Sequence, residues 1–180
     1  MKILVLLFLY LTLNADIKDN MFNLYQNEKY EKVCNIGNRV LDLNAKDEEF
    51  VSLYAFGCLK SDYIDRLTIP ISLLKFSKEA RSNSAYFSVI LMQKKLLYHS
   101  LVDGYELKKL KLPSTDYILS KVFDLYSKLG KHESRNVYIF NDNKNPKITY
   151  KLYLENDDKL PKMVIEEFYG TIAIHRHVYW

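Results

Sequence analysis

The stretch KITYKLYL (Lys147 to Leu154) alternates apolar and polar side chains, and this alternation decides the fold class. Ile148, Tyr150, Leu152 and Leu154 would share one face of a strand, because side chains alternate across a strand with a period of two. Three more segments of the tail have strand-like spacing and are separated by turn residues, namely 136–140, 162–168 and 171–179. The tail therefore predicts an antiparallel meander of three or four strands.

The chain before this tail has helical spacing of its apolar residues, from Asp16 to Gly130. Residues 84–103 predict one long central helix, and Pro113 opens another. Pro70 should either begin a helix or kink one. Helices first and strands last predict an α+β fold. We expect a helical domain over 16–130, followed by a small C-terminal antiparallel sheet over 135–180 that packs on the helices.

The N-terminal segment MKILVLLFLYLTLNA (Met1 to Ala15) has the pattern of a secretory signal peptide. Lys2 precedes an apolar run, and Ala15 stands before polar Asp16, which predicts cleavage after Ala15. A membrane anchor is the alternative, but the apolar run is shorter than the roughly 20 residues that a spanning helix needs. We therefore expect an exported, soluble periplasmic protein with no membrane span after cleavage.

The net charge and the cysteine content limit the class of partner and the cellular compartment that fit this protein. The net charge is only +4, and the basic residues are spread along the chain, which argues against nucleic acid as a partner. Cys34 and Cys58 would enter an oxidising compartment after export, where an even number of cysteines predicts one disulfide. The alternative is two buried thiols.

The stretch LYQNEKYEKV (Leu24 to Val33) resembles the turn and second-helix start of a tetratricopeptide repeat. Tyr30 takes the place of the family's tyrosine, and Glu28 stands where glycine is usual. The stretch LKSDYIDRL (Leu59 to Leu67) offers Tyr63 in the matching role, thirty-three residues after Tyr30, which is close to the family period of about 34. The resemblance extends from Asp16 to about Ala80 at most.

Two features depart from the family pattern. Arg66 falls where Val33 stood in the first repeat, and Asn44 with Ala45 replaces the expected proline at the repeat boundary. The resemblance nevertheless implies stacked helical hairpins, in which the second helix of one repeat lies against the first helix of the next. Those helices would hold the two cysteines, so their Cα atoms should lie within about 7 Å.

Helical repeat proteins generally present a surface to a partner. The resemblance therefore implies a non-enzymatic interaction or scaffold protein that binds a protein partner in the cell envelope. An accessory role in an envelope machine such as the flagellar motor or a secretion system fits this class. Tyrosine supplies rigid amphipathic contact area, and four tyrosines of the repeat-like region are our candidate contacts: Tyr25, Tyr30, Tyr54 and Tyr63.

The stretch TIAIHRHVYW (Thr171 to Trp180) places His175 and His177 on one face of a strand. Two imidazoles at this spacing could share a zinc or copper ion, which usually needs three or four protein ligands. Further ligands would have to come from His99, His132 or an acid. The alternative, which we favour, is that the opposite face with Ile172 and Ile174 is buried and the histidine face is solvated.

Catalytic signatures are missing from the sequence. It has no G-x-S-x-G, H-E-x-x-H or S-x-x-K motif and no phosphate-binding glycine loop. Glu166 and Glu167 are neighbours on a predicted strand, so they would face opposite sides and could not share a substrate. We therefore expect no enzyme activity and no cofactor. The alternative function is a periplasmic protein that binds a small ligand or a metal through His175 and His177.

Overall fold

The computed structural model describes residues 17–108, 110–129, 137–156 and 159–180. In these residues six α-helices precede a four-stranded antiparallel sheet, which confirms the predicted α+β fold class. Contacts within the chain define two compact units, which divide between Phe87 and Ser88. The predicted signal peptide, Met1 to Ala15, lies outside the described residues.

Unit 1 is helical. Its elements are α1 over the described residues 17–26, α2 (Tyr30–Asn44), α3 (Glu48–Lys60), a short 3-10 helix (Ile64–Leu67), α4 (Thr68–Leu73) and the start of α5 (Lys78–Asp103). Pro70 lies in the first turn of α4. Backbone N–H groups of a first turn have no partner inside their helix, so the proline costs α4 no hydrogen bond.

Two turns of unit 1 share one backbone geometry. Glu28 and Asp62 adopt left-handed conformations with φ of 57° and 65°, each just after a helix end, and they are thirty-four residues apart. Lys29 and Tyr63 follow them, and each donates its N–H to the carbonyl five residues earlier at 2.9 Å. This is the hydrogen-bond pattern of a helix-ending Schellman motif. The backbone counterpart of Tyr63 is therefore Lys29, one residue before Tyr30.

Helices α2 and α3 pack closely because glycines lie between them. A Cβ atom added at Gly37 would lie 2.4 Å from Cδ2 of Tyr54, and one added at Gly57 would lie 2.6 Å from Cγ1 of Val33. Real Cβ atoms do not approach other atoms so closely. The lack of a side chain at these two glycines therefore allows the close separation of α2 and α3.

The predicted disulfide is present at the same interface. Cys34 in α2 and Cys58 in α3 are bonded, and their Cα atoms are 4.6 Å apart, within the distance expected for such a bond. Both residues are completely buried. The bond therefore links two consecutive helices inside the core of unit 1.

Unit 2 contains the remainder of α5, then α6 (Ile118–Ser127) and the sheet. The strands are β1 (Val137–Asn141), β2 (Ile148–Glu155), β3 (Lys162–Tyr169) and β4 (Ile172–Tyr179), paired in the order β1-β2-β3-β4. All neighbours are antiparallel, as the alternation predicts. No helix in the described ranges combines the length and the apolar character needed to cross a membrane.

One face of the sheet packs on the helices of unit 2. Tyr126 of α6 meets Tyr138 of β1 edge to face, with ring centroids 5.1 Å apart. Burial raises the pKa of Tyr126 to about 12, and its hydroxyl lies 3.0 Å from that of Ser100. The other buried side chains on this face of the sheet are aromatic or aliphatic: Phe140, Tyr150, Leu152, Met163, Ile165 and Tyr179.

The face of β4 that we expected to be buried is exposed. Ile172 and Ile174 are 67% and 42% exposed, whereas Tyr179, on the histidine face, is buried. The pairing of β3 with β4 shifts between Glu167 and Phe168, which leaves Ile174 without a cross-strand partner. The prediction of a buried isoleucine face was wrong, because the bulge interrupts the alternation and the helices pack on the other side.

Candidate functional site

A groove with a volume of about 850 Å³ opens on unit 1. Its walls come from α1, α3 and the first turns of α5, together with the residues just before α3. These are every second helix of the unit, while α2 contributes no lining residue. The groove is therefore a candidate binding surface of unit 1.

Helix α3 places its side chains on two sides. Tyr54, Gly57 and Cys58 are buried toward α2. Glu49 and Leu53 are one turn apart on another side of the helix and line the groove. The helical period of 3.6 residues thus separates a packed face from an open one.

Asp47 and Glu48 hold the helix ends that border the groove. The Asp47 carboxylate accepts the N–H groups of Glu49 and Phe50 at 3.0 and 3.1 Å and so caps the start of α3. The Glu48 carboxylate accepts three consecutive N–H groups, at 2.9, 2.7 and 2.8 Å, from residues 75–77 just before α5. These donors, the N–H of Phe76 foremost, lower the pKa of Glu48 to about 2. Glu48 therefore ties the start of α3 to the start of α5.

Lys18 joins α1 to this arrangement. Its ammonium lies 3.1 Å from the Asp47 carboxylate and 2.5 Å from that of Glu49. Burial works to lower the pKa of Lys18, but the hydrogen bonds to Glu49 and Asp47 outweigh it and raise the pKa. Two carboxylates of the groove thus already hold a primary ammonium.

The charge of the groove is predominantly negative. Five carboxylates line it and two ammonium groups face them, which gives an excess of three negative charges. Phe22, 51% exposed, and the half-buried Leu53 add apolar surface. A groove of this character suits a ligand that carries both positive charge and apolar side chains.

The predicted contact tyrosines do not line this groove. Tyr25 and Tyr30 are half-buried and meet edge to face, with ring centroids 5.0 Å apart. The hydroxyl of Tyr63 donates to Glu31 at 2.9 Å, and the guanidinium of Arg66 lies 4.4 Å from its ring centroid. Their role as partner contacts stays a prediction.

Tyr54 has a structural role in this fold. It is 1% exposed, packs over Gly37, and directs its hydroxyl to Oδ1 of Asn38 at 3.2 Å. A side chain buried to this extent offers no contact area to a partner. The prediction that Tyr54 is a partner contact therefore has to be corrected, because its face of α3 is the one that packs on α2.

His175 and His177 lie on the same face of β4, with ring centroids 6.2 Å apart. His177 also lies beside Tyr117 and stacks on Tyr179. His99 stacks on Tyr105 in another part of unit 2, and His132 lies outside the described residues. Within the described ranges, no group of three or more His, Cys, Asp or Glu side chains could hold a metal ion. Metal binding by the histidine pair stays a prediction.

Sequence reasoning missed the groove residues. The run Asp47-Glu48-Glu49 before an apolar helix is a recognisable helix start, so the cap at Asp47 could have been found. Lys18 and Glu79 gave no local signal, because they reach the groove only through the packing of three helices. Comparisons with models of protein families, with curated proteins and with solved structures found no match for this chain.

Proposed function

We propose that the protein is a non-enzymatic interaction or scaffold protein that holds a segment of a partner protein in the groove of unit 1. The observation that carries this proposal is the composition of the groove, which is lined by α1, α3 and α5 and not by α2. Stacked helical hairpins present one helix of each hairpin to a concave surface, where helical repeat proteins bind their partners.

The repeated turn supports a tetratricopeptide-like interpretation of unit 1. Glu28 and Asp62 have the same left-handed backbone and lie thirty-four residues apart, which is the period of that family. The second helix of the second hairpin is short, since Ile64–Leu67 is a 3-10 helix and α4 has six residues. We therefore propose one full hairpin followed by a reduced one.

We place this function in the cell envelope. The pattern of Met1 to Ala15 is that of an export signal, and the disulfide between Cys34 and Cys58 suits an oxidising compartment. We also propose an accessory role in an envelope machine such as the flagellar motor or a secretion system, which is compatible with that location.

Site-directed photo-crosslinking in cells tests the proposal. A photo-crosslinking phenylalanine analogue replaces either Phe22 or Glu79 in the groove, and the control replaces Leu43 of α2, which is 63% exposed and does not line the groove. We expect both groove positions to capture the same protein and the control to capture none of it. Equal capture from all three positions, or none from the groove, would contradict the proposal.

A further inference from the structure

We propose that the segment bound in the groove is cationic, with lysine or arginine side chains placed beside an apolar anchor. This inference rests on the proposed function and specifies the chemistry of its partner. It follows from three features of the groove: its unbalanced charge, the ammonium that it already holds, and its exposed aromatic side chain.

Part of the excess negative charge of the groove has no ion-pair partner among the described residues. Asp47 caps α3 and pairs with Lys18, and Glu48 binds backbone N–H groups before α5. Asp19 and Glu79, by contrast, form no ion pair with any other residue in the described part of the chain, and both are exposed. Lys46 is the one cation of the lining that remains to offset them. Two carboxylates on different helices thus stay available to a ligand.

Lys18 shows which chemistry the groove accepts. Its ammonium lies between Asp47 and Glu49, at 3.1 and 2.5 Å, although the three residues come from two different elements. A lysine of a partner would meet carboxylates of the same kind at Asp19 and Glu79. An arginine would add paired N–H donors that match a carboxylate, which strengthens such a contact.

The apolar part of the ligand is indicated by Phe22. Its side chain is half exposed, and Leu53 and Ala80 line the same groove. A volume of about 850 Å³ holds a few side chains and not a whole domain. The bound segment is thus short, with one apolar residue on Phe22 and basic residues that reach Asp19 and Glu79.

A peptide library tests the inference even while the partner is unidentified. A random twelve-residue display library is selected on the mature wild-type protein, and the enriched peptides are then titrated against Phe22→Ala. Circular dichroism checks that this variant keeps its helices. We expect peptides that require Phe22 to be enriched in lysine and arginine, and their affinity to fall as salt is raised.

Charge variants complete the test. The double variant Asp19→Asn and Glu79→Gln should weaken these peptides about fivefold, since two exposed ion pairs are lost. The matched control, Asp42→Asn and Glu106→Gln, removes two exposed acids that do not line the groove and should leave affinity unchanged. A double variant that binds as wild type would overturn the cationic inference.

The outcomes separate this inference from the proposed function. Peptides that require Phe22 but are neutral or acidic would overturn the cationic ligand and leave the groove as a binding site. If no library peptide depends on Phe22, the inference and the proposed function fall together.

Discussion

The two faces of α3 differ in how they meet their neighbours. Toward α2, Gly57 and Cys58 allow an approach so close that the bonded cysteines have Cα atoms 4.6 Å apart. Toward the groove, Glu49 and Leu53 keep contact with solvent. The face of α3 that stabilises unit 1 and the face that lines the groove thus lie on different sides of one helix. Four changes to these faces and their border would test whether the separation is real.

Removing the disulfide should have the largest effect on the free energy of unfolding. The bond closes a loop with a sequence separation of 24 residues, and the chain-entropy argument predicts a loss of about 3 kcal/mol in the free energy of unfolding for Cys34→Ala with Cys58→Ala. Equilibrium denaturation in urea measures the loss. A reducing agent should destabilise the wild type and leave the double variant unchanged. A loss below about 1 kcal/mol would mean that the packed face does not depend on its covalent link.

Adding one methyl group to the packed face of α3 should have the next largest effect on the free energy of unfolding. In Gly57→Ala the new Cβ would lie 2.6 Å from Val33 and 3.1 Å from the backbone nitrogen of Cys34. We expect a loss of about 2 kcal/mol from overpacking, although alanine is the better helix former. Gly37→Ala should cost at least as much, because its new Cβ would lie 2.4 Å from Cδ2 and 2.8 Å from Cβ of Tyr54, a buried side chain that has no room to move away. Thermal or urea denaturation of both variants would show whether this order holds.

The stability that Glu48 contributes, at the border between the two faces of α3, should depend on pH. The pKa of Glu48 is lowered from 4.5 to about 2, so the folded state favours its anion. Its contribution is complete above its ordinary pKa and is lost as the pH falls toward the folded value. Glu48→Gln should therefore be less stable than the wild type at neutral pH, and the two unfolding curves should converge near pH 2. A difference that is constant over this range would show that the carboxylate charge is irrelevant.

Changing the open face should have the smallest effect on stability. Asp19→Asn with Glu79→Gln alters exposed side chains that form no ion pair with described residues. We expect the free energy of unfolding to stay within about 0.5 kcal/mol of the wild type. The same urea titration measures it. A loss comparable to that of Gly57→Ala would mean that the groove residues support the fold and that the two faces are not separate.

The sheet could be predicted closely from the sequence. Strand β2 was expected at Lys147 to Leu154 and is found at Ile148–Glu155, because the period of two and the flanking turn residues are local signals. The long helix was expected from Ser84, yet α5 begins at Lys78. The hydroxyl of Ser77 caps this start by accepting the N–H of Ala80 at 3.0 Å, a local signal that the apolar spacing does not show, and Glu48, distant in the sequence, binds the N–H groups before it.

Apart from the helix start at Asp47, the candidate site has no local pattern in the sequence and could not be predicted from it. Asp19, Glu49 and Glu79 come together only when three helices pack. Tyr54 was predicted to be a contact because tyrosine supplies amphipathic contact area. Helix α3 is apolar over most of its circumference, so its sequence does not show which side faces α2. A tyrosine on such a helix can lie in the core or contact a partner. The burial of Tyr54 depends on the glycine opposite it, Gly37.

Glu28 is a position where replacement by glycine should stabilise unit 1. A residue with a side chain in the left-handed region is strained by about 1 kcal/mol relative to glycine, and Glu28, at φ of 57°, is exposed and lies outside the groove lining. Replacement by glycine would relieve this strain without altering a residue that lines the groove. Position 28 is thus a natural place for a suppressor mutation that lets unit 1 tolerate destabilising changes elsewhere, and a first choice for engineering a more robust variant.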